Sequence, residues 1–189
     1  MEPFEYVVVL TSLILGLGIA QILTSTADVL SHIKHVKLSL PHSLMTLVIF
    51  FLHIQEWWIN YQYSQVVMDW TLGIVLSVLV YPIILFMLAR MLFPTGIRAS
   101  ETDLEAYFED QWKWLYSIIL ATIFISIWQN SYIQGLPVMD SWPQMVFAAI
   151  FIVFLTLRKP PKWAHTALQL IFVVAMIAYI ISEDTALGK

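Results

Sequence analysis

Six long runs of apolar residues divide this 189-residue chain, and they constrain its fold more than any other feature of the sequence. An α-helix needs about 20 apolar residues, within a range of about 17–25, to cross a bilayer. The runs that meet this length are residues 6–28, 43–62, 71–92, 113–134, 142–158 and 163–182. We therefore expect an all-α membrane protein, a bundle of six transmembrane helices that forms one integral membrane domain over residues 1–189.

The composition supports this fold class and excludes several functions. Hydrophobic residues make up 60% of the chain and charged residues 12%, whereas about 25% of a typical soluble domain is charged. The connections between the runs are too short to form a separate soluble domain. A net charge of −4 argues against nucleic acid as a partner. Because the chain has no cysteine, it has neither disulfides nor thiolate-bound metal or iron–sulfur clusters.

The basic residues are distributed asymmetrically along the predicted bundle. Eight of the nine Lys and Arg residues lie in or beside alternate connections, which share one end of the bundle: Lys34, Lys37, Arg90, Arg98, Lys113, Arg158, Lys159 and Lys162. Only Lys189 lies at the other end. The positive-inside rule places the basic end in the cytoplasm. We therefore expect both termini on the outer, periplasmic or extracytoplasmic, side of a bacterial inner (cytoplasmic) membrane.

Polar residues inside the second and fourth runs indicate a possible functional site. His53, Glu56 and Asn60 are three and four positions apart and share one helix face. Glu56 lies about 20 Å along its run at 1.5 Å per residue, and Gln129 and Asn130 reach a similar depth. An ionisable group within a membrane is a functional-site hypothesis by default. We expect these five side chains to line an outward-facing polar pocket and ion pathway. The alternative is that Glu56 reaches the interface or only binds its neighbours in the packed bundle.

Histidines suggest a second kind of site. His32, His35, His42 and His165 are all predicted near the cytoplasmic face, where they are candidates for haem or metal ligands. The spacing of His53 and Glu56 also resembles half of a di-iron ligand set, but the further ligands that such a site needs are not visible. The sequence therefore requires no cofactor, although haem or a metal stays a possibility.

A stripe of small residues marks the first run. Ser12, Gly16 and Ala20 recur every four positions, a spacing that permits close approach of another helix. Because symmetric assembly is common among such proteins, we expect a homo-oligomer that uses this stripe.

Three further residues have predicted structural roles. Asp28 and Arg90 lie at matching depth near the basic end and are candidates for an inner ion pair. Pro82 lies inside the third run, where its missing N–H is expected to kink the helix. A kink of this kind provides a candidate hinge.

The longest connection contains a predicted amphipathic segment over residues 98–112. Leu104, Phe108 and Trp112 recur every four positions, and five acidic residues lie opposite them: Glu101, Asp103, Glu105, Glu109 and Asp110. We expect a cytoplasmic helix on the inner membrane surface that runs into the fourth span. Its acidic residues face solvent or a cytoplasmic protein partner, since they disfavour anionic lipid.

Three classes of function remain open. An ion or small-solute channel or transporter is favoured, because the polarity lies within the membrane runs and no extramembrane domain is present. A structural, sensing or assembly subunit of a membrane complex is the first alternative. A haem- or metal-binding redox protein is the second, and it depends on the histidines alone. We found no phosphate-binding or zinc-protease motif, so enzymatic activity is not the favoured interpretation.

Overall fold

A computed structural model describes residues 3–95 and 102–187 of the chain. These residues form six α-helices, which are α1 (Pro3–Ser31), α2 (Leu40–Val66), α3 (Leu72–Met91), α4 (Leu104–Tyr132), α5 (Trp142–Thr156) and α6 (Lys162–Leu187). Each of the six apolar runs corresponds to one of these helices. The prediction of a helical bundle is confirmed.

Four stretches of the described residues are long and apolar enough to cross a membrane, namely Phe4–Ser31, Leu72–Met91, Val138–Thr156 and Lys162–Tyr179. Helices α2 and α4 are also long, at 27 and 29 residues. They are less apolar because α2 contains His53, Glu56 and several amides, and α4 begins with acidic residues. The fold is compatible with a membrane protein, and the predicted six spans and outer termini remain predictions.

Helix α2 occupies the centre of the bundle and contacts α1, α3, α4 and α6. Its start is determined by local sequence: the Ser39 side chain accepts a hydrogen bond from the backbone N–H of His42 at 3.5 Å, and Pro41 occupies the first turn. Ser39 is therefore a favourable N-cap, and proline is tolerated next to it. The central position of α2 turns its polar residues toward other helices.

The predicted amphipathic segment does not form a separate helix in the described residues. Asp103 caps α4 by accepting the N–H groups of Glu105 and Ala106, both at 2.9 Å, and residues 104–112 are the first turns of that continuous helix. Leu104, Phe108 and Trp112 are buried, so their stripe packs into the bundle and not onto a membrane surface. Residues 98–101 lie outside the described residues, and a protein partner there stays a prediction.

Three connections meet at one end of the bundle. Two short strands, β1 (Val36–Lys37) and β2 (Thr102–Asp103), pair in parallel and join the α1–α2 and α3–α4 connections. Lys162, at the start of α6, pairs with Glu105 and Glu109 of α4. We call this end, which contains Lys37 and Lys162, the basic end. Because α4 and α6 both start there, these two helices run in the same direction.

Pro82 is buried inside α3, which continues through it from Leu72 to Met91. Proline leaves the carbonyl four residues before it without its helical donor. The proposed use of this position as a hinge remains a prediction.

Candidate functional site

A cavity of about 370 Å³ lies between α2, α4, α5 and α6, in the half of the bundle opposite the basic end. We call it the distal cavity. Its deepest residues on the four helices are apolar: Leu52, Ile119, Phe147 and Phe172. The lining residues farther from the basic end include polar side chains: Gln55, Gln62, Asn130, Gln134, Asp140 and Gln144. We call the apolar part nearer the basic end the floor of the distal cavity and the polar part farther from it the mouth.

Helix α2 presents two neighbouring faces to its surroundings. Residues 52, 55, 59 and 62 line the distal cavity. The face predicted to line a pocket, formed by His53, Glu56 and Asn60, is turned by about one residue and packs into the interior. These three side chains are at most 2% exposed. Of the five predicted pocket residues, one is among the residues that line the distal cavity, namely Asn130.

Glu56 is buried next to the distal cavity. The Asn60 side-chain N–H donates to the Glu56 Oε1 at 3.2 Å and to its backbone carbonyl at 2.8 Å. No Lys or Arg among the described residues forms an ion pair with this carboxyl. Tyr81 interacts electrostatically with Glu56 and hydrogen-bonds to Thr122, and both residues line the cavity. Tyr81 is thus a neighbour of both the cavity and the buried carboxyl.

His53 fills a gap against α1. Its Nδ1 lies 2.7 Å from the Ile49 carbonyl, whereas its buried Nε2 has no hydrogen-bond partner. The ring lies against Gly18, where an added Cβ would be 2.7 Å from His53 Cδ2 and closer still to Nε2. Only a glycine on α1 leaves room for this imidazole. The spacing of small residues suggested close approach on α1, but Gly18 was not identified as the contact.

The two amides predicted on α4, Gln129 and Asn130, form hydrogen bonds with residues other than Glu56. The buried Gln129 side chain donates to the Ser77 carbonyl at 2.7 Å, which joins α4 to α3. Asn130 donates to the Ser141 hydroxyl at 3.1 Å and accepts from Gln134 at 3.2 Å. Gln129 therefore has a bonding role in the interior, and Asn130 shapes the mouth of the distal cavity. Sequence reasoning missed Gln55 and Gln62, although their spacing of seven on α2 was a usable signal.

A second cavity of about 590 Å³ lies at the basic end, and we call it the basal cavity. Acids and lysines line it together with proline and aromatic residues: Ser39, Pro41, Glu105, Ala106, Phe108, Glu109, Asp110, Trp112, Lys159, Pro160, Pro161, Lys162 and His165. Its deepest residues, Trp112 and His165, have ring centroids 5.1 Å apart.

Ion pairs tie the connections together beside the basal cavity. Lys37 lies 3.1 Å from Asp103 and 2.7 Å from Glu105, and Lys162 pairs with Glu105 and, at 3.3 Å, with Glu109. The ammonium groups of Lys162 and Lys37 lower the pKa of Glu105 below its ordinary value. These pairs are solvent-exposed, so each contributes little to stability.

The predicted ion pair of Asp28 with Arg90 does not form in the described part of the chain. The carbonyl of Asp28 instead lies 2.9 Å from His32 Nδ1 and accepts from the Ser31 hydroxyl. Arg90 lies near Tyr107, with which it interacts electrostatically. The ion pairs at this end instead join Lys37 and Lys162 to acidic residues at the start of α4.

The four histidines near the basic end are held in separate places. His32 bonds within its own turn, and His35 is exposed. The buried His42 donates from Nε2 to the Leu92 carbonyl at 2.8 Å. His165 lies 3.0 Å from the Tyr116 hydroxyl. Within residues 3–95 and 102–187, no group of three or more potential ligands is arranged to hold a metal ion.

The small-residue stripe on α1 faces away from the bundle. Gly16 and Ala20 are exposed and Ser12 is partly exposed. A Cβ added at Gly16 would meet no atom within 4 Å. The face of α1 that packs inward contains the buried residues Leu15, Gly18 and Ile22. The stripe is therefore available for contacts outside the chain.

The helices and cavities together define a helical bundle that is compatible with a membrane protein. Comparison with known proteins gives no significant match to a family model, a curated protein or a solved structure.

Proposed function

We propose that this chain is an integral membrane protein that moves an ion or a small polar solute, which enters at the distal cavity. Glu56 is the titratable group coupled to this movement. The observation that carries the proposal is a buried carboxyl, without a cationic partner among the described residues, that interacts with Tyr81, a residue lining the polar cavity. An ionisable group in a membrane commonly marks an ion or substrate pathway.

The dimensions and lining of the distal cavity support this proposal. Small-molecule sites typically have volumes of about 300–1,000 Å³, and the distal cavity has about 370 Å³. Its amides and hydroxyls supply both donors and acceptors, so they suit a polar solute or a partly dehydrated ion. Asp140 at the mouth adds a negative charge that favours cations.

We further propose that all six helices span the membrane with the basic end in the cytoplasm and both termini outside. The positive-inside rule supports this orientation, and a bacterial inner membrane is the proposed location. The burial of Glu56 and Gln129 explains how α2 and α4 cross lipid despite their polar residues, because these side chains bond inside the bundle.

Replacement of Glu56 by Gln is expected to slow transport at least about 10-fold while the protein folds normally. Glutamine keeps the size of the side chain and most of its hydrogen bonds but cannot ionise, so it removes the titratable proton of the carboxyl. We would measure proton uptake into proteoliposomes that contain the dye pyranine, driven by a potassium diffusion potential. Asp69→Asn, an equivalent change at an exposed carboxyl outside the cavity, serves as the matched control.

If Glu56→Gln transports at the parent rate, the coupling role of Glu56 is contradicted. A purely structural Glu56 would instead tolerate Gln and lose thermal stability with Leu, which cannot bond to Asn60. Both variants must therefore be compared for transport and for thermal unfolding.

A second proposed property is homo-oligomerisation through α1, which would also suit a structural or assembly subunit. The exposure of Gly16 and Ala20 supports it, since small residues let helices pack closely in lipid. We expect the double variant Gly16→Leu and Ala20→Leu to convert an oligomer into the 21.8 kDa chain, measured by mass photometry in mild detergent. Val174→Leu, at an exposed position on α6, should not change the assembly. A parent protein that is already monomeric would contradict the proposal.

A further inference from the structure

The two cavities are aligned along the same pair of helices. On α4, Trp112 is the deepest residue of the basal cavity and Ile119 is the first residue of the distal cavity. On α6, the corresponding residues are His165 and Phe172. Both separations are seven residues, or about 10 Å along a helix. Since α4 and α6 run in the same direction, the two cavities face each other across a layer about two turns thick.

A chain of polar side chains occupies most of that layer. The His165 Nδ1 lies 3.0 Å from the Tyr116 hydroxyl, which accepts a hydrogen bond from the Gln169 side-chain N–H at 3.2 Å. All three residues are buried, and Gln169 is 3% exposed. The Gln169 Oε1 has no hydrogen-bond partner in the protein. A buried acceptor of this kind is costly unless a further polar group reaches it.

An apolar floor separates this polar chain from the distal cavity. Ile119 and Phe172 each lie three residues, or about 4.5 Å along the helix, beyond Tyr116 and Gln169. Phe172 packs against Phe147, with ring centroids 4.8 Å apart, and against Phe151, at 6.1 Å. Apolar constrictions of this kind close membrane pathways by excluding water.

We propose that the two cavities are the two mouths of one water-accessible path through a single chain. His165, Tyr116 and Gln169 line the basal half of this path, and Phe172 with Ile119 forms its gate. This inference rests on the proposed transport function in one respect, the kind of ion or solute that moves along the path.

Cysteine accessibility tests this path directly, because the chain has no native cysteine. Single cysteines would replace Ala175 in the distal cavity, Ala106 in the basal cavity and Gln169 between them. A membrane-impermeant cationic methanethiosulfonate reagent is applied to one side of sealed vesicles at a time. We expect Ala175→Cys to react from the distal side and Ala106→Cys from the basal side. Gln169→Cys should react from the basal side and only slowly from the distal side, where the gate intervenes.

Removal of the gate supplies the decisive comparison. Adding Phe172→Ala should accelerate reaction of Gln169→Cys from the distal side at least about 10-fold. Phe124→Ala, which removes the same ring from an exposed position on α4, should leave the rate unchanged. If Phe172→Ala has no effect, or if Phe124→Ala has an equal effect, the path is overturned.

A cysteine-free measurement protects the test if Gln169→Cys fails to fold. Phe172→Ala alone should increase passive proton leak into pyranine-loaded vesicles at least about 10-fold, and Phe172→Leu should restore a tight seal. A vesicle leak equal to that of the parent would overturn the gate. Labelling and leak do not depend on coupling by Glu56. If Phe172→Ala increases the leak while Glu56→Gln transports at the parent rate, the proposed coupling is contradicted and the path is still supported.

Discussion

Replacement of Gly18 by Ala is expected to destabilise the protein by about 1–3 kcal/mol, the typical cost of overpacking a closely packed interior. The added Cβ would lie 2.7 Å from His53 Cδ2 and closer to Nε2, so the imidazole must move. It has little freedom to do so, because the ring is fully buried and its Nδ1 lies 2.7 Å from the Ile49 carbonyl. Thermal unfolding in detergent micelles would measure the loss.

Gly73→Ala, at the start of α3 and outside the proposed interface on α1, provides the control for Gly18→Ala. A Cβ at Gly73 would meet Thr71 Oγ1 and the Tyr132 hydroxyl only at 3.8 Å, an ordinary contact, and alanine favours a helix over glycine by about 1 kcal/mol. We therefore expect equal or higher stability. A double-mutant cycle with His53→Ala should show that the cost of Gly18→Ala depends on the imidazole. If the two glycine variants unfold at the same temperature, the close contact between α1 and α2 is contradicted.

His42→Ala is expected to cost about 2–4 kcal/mol, from a lost hydrogen bond together with lost packing. The imidazole donates to the carbonyl of Leu92 at 2.8 Å, and Leu92 is the C-cap of α3. Carbonyls at the end of a helix lack intrahelical donors, so His42 supplies a missing partner. The ring also packs edge-on against Phe93 at 4.9 Å. Chemical or thermal unfolding of the purified protein would give the difference.

Two further variants separate the contributions at His42. His42→Phe keeps an aromatic ring but removes the hydrogen-bond donor. It should therefore lower the free energy of unfolding, by less than His42→Ala does. His35→Ala, at an exposed position, should leave the unfolding temperature unchanged. If His35→Ala lost as much stability as His42→Ala, the structural role of His42 would be contradicted. That result would instead favour the hypothesis that the two histidines bind a common haem or metal.

The helices and their connections were predictable from local sequence. A run of about 20 apolar residues has few alternatives to a helix in a membrane, and Ser39 and Pro41 indicate where α2 begins. The alternation of basic connections also predicted that Lys37 and Lys162 lie at one end, because consecutive helices reverse direction. The prediction of a surface helix was wrong for residues 104–112. Their apolar stripe suits a surface helix and the first turns of a buried helix equally well.

The candidate site was predicted only in part, because helical spacing determines which residues share a face but not what that face contacts. His53, Glu56 and Asn60 do share a face, as their spacing indicates. A rotation of about 100°, the angle between consecutive residues, decides whether that face or the one with Gln55 lines the cavity. Packing against α1 and α3 sets this rotation, and no residue within α2 encodes it alone.

The sequence by itself therefore determined the periodic, local properties of this protein: its helices, their order and the asymmetry of its charges. These properties depend on residues within a few turns of each other. Only the tertiary structure decided that Gly18 and not Gly16 contacts α2, that Gln129 joins α4 to α3, and that two cavities align between α4 and α6. Each of these depends on the rotation and depth of one helix against another. Those quantities follow from the packing of many side chains at once and from no single local pattern.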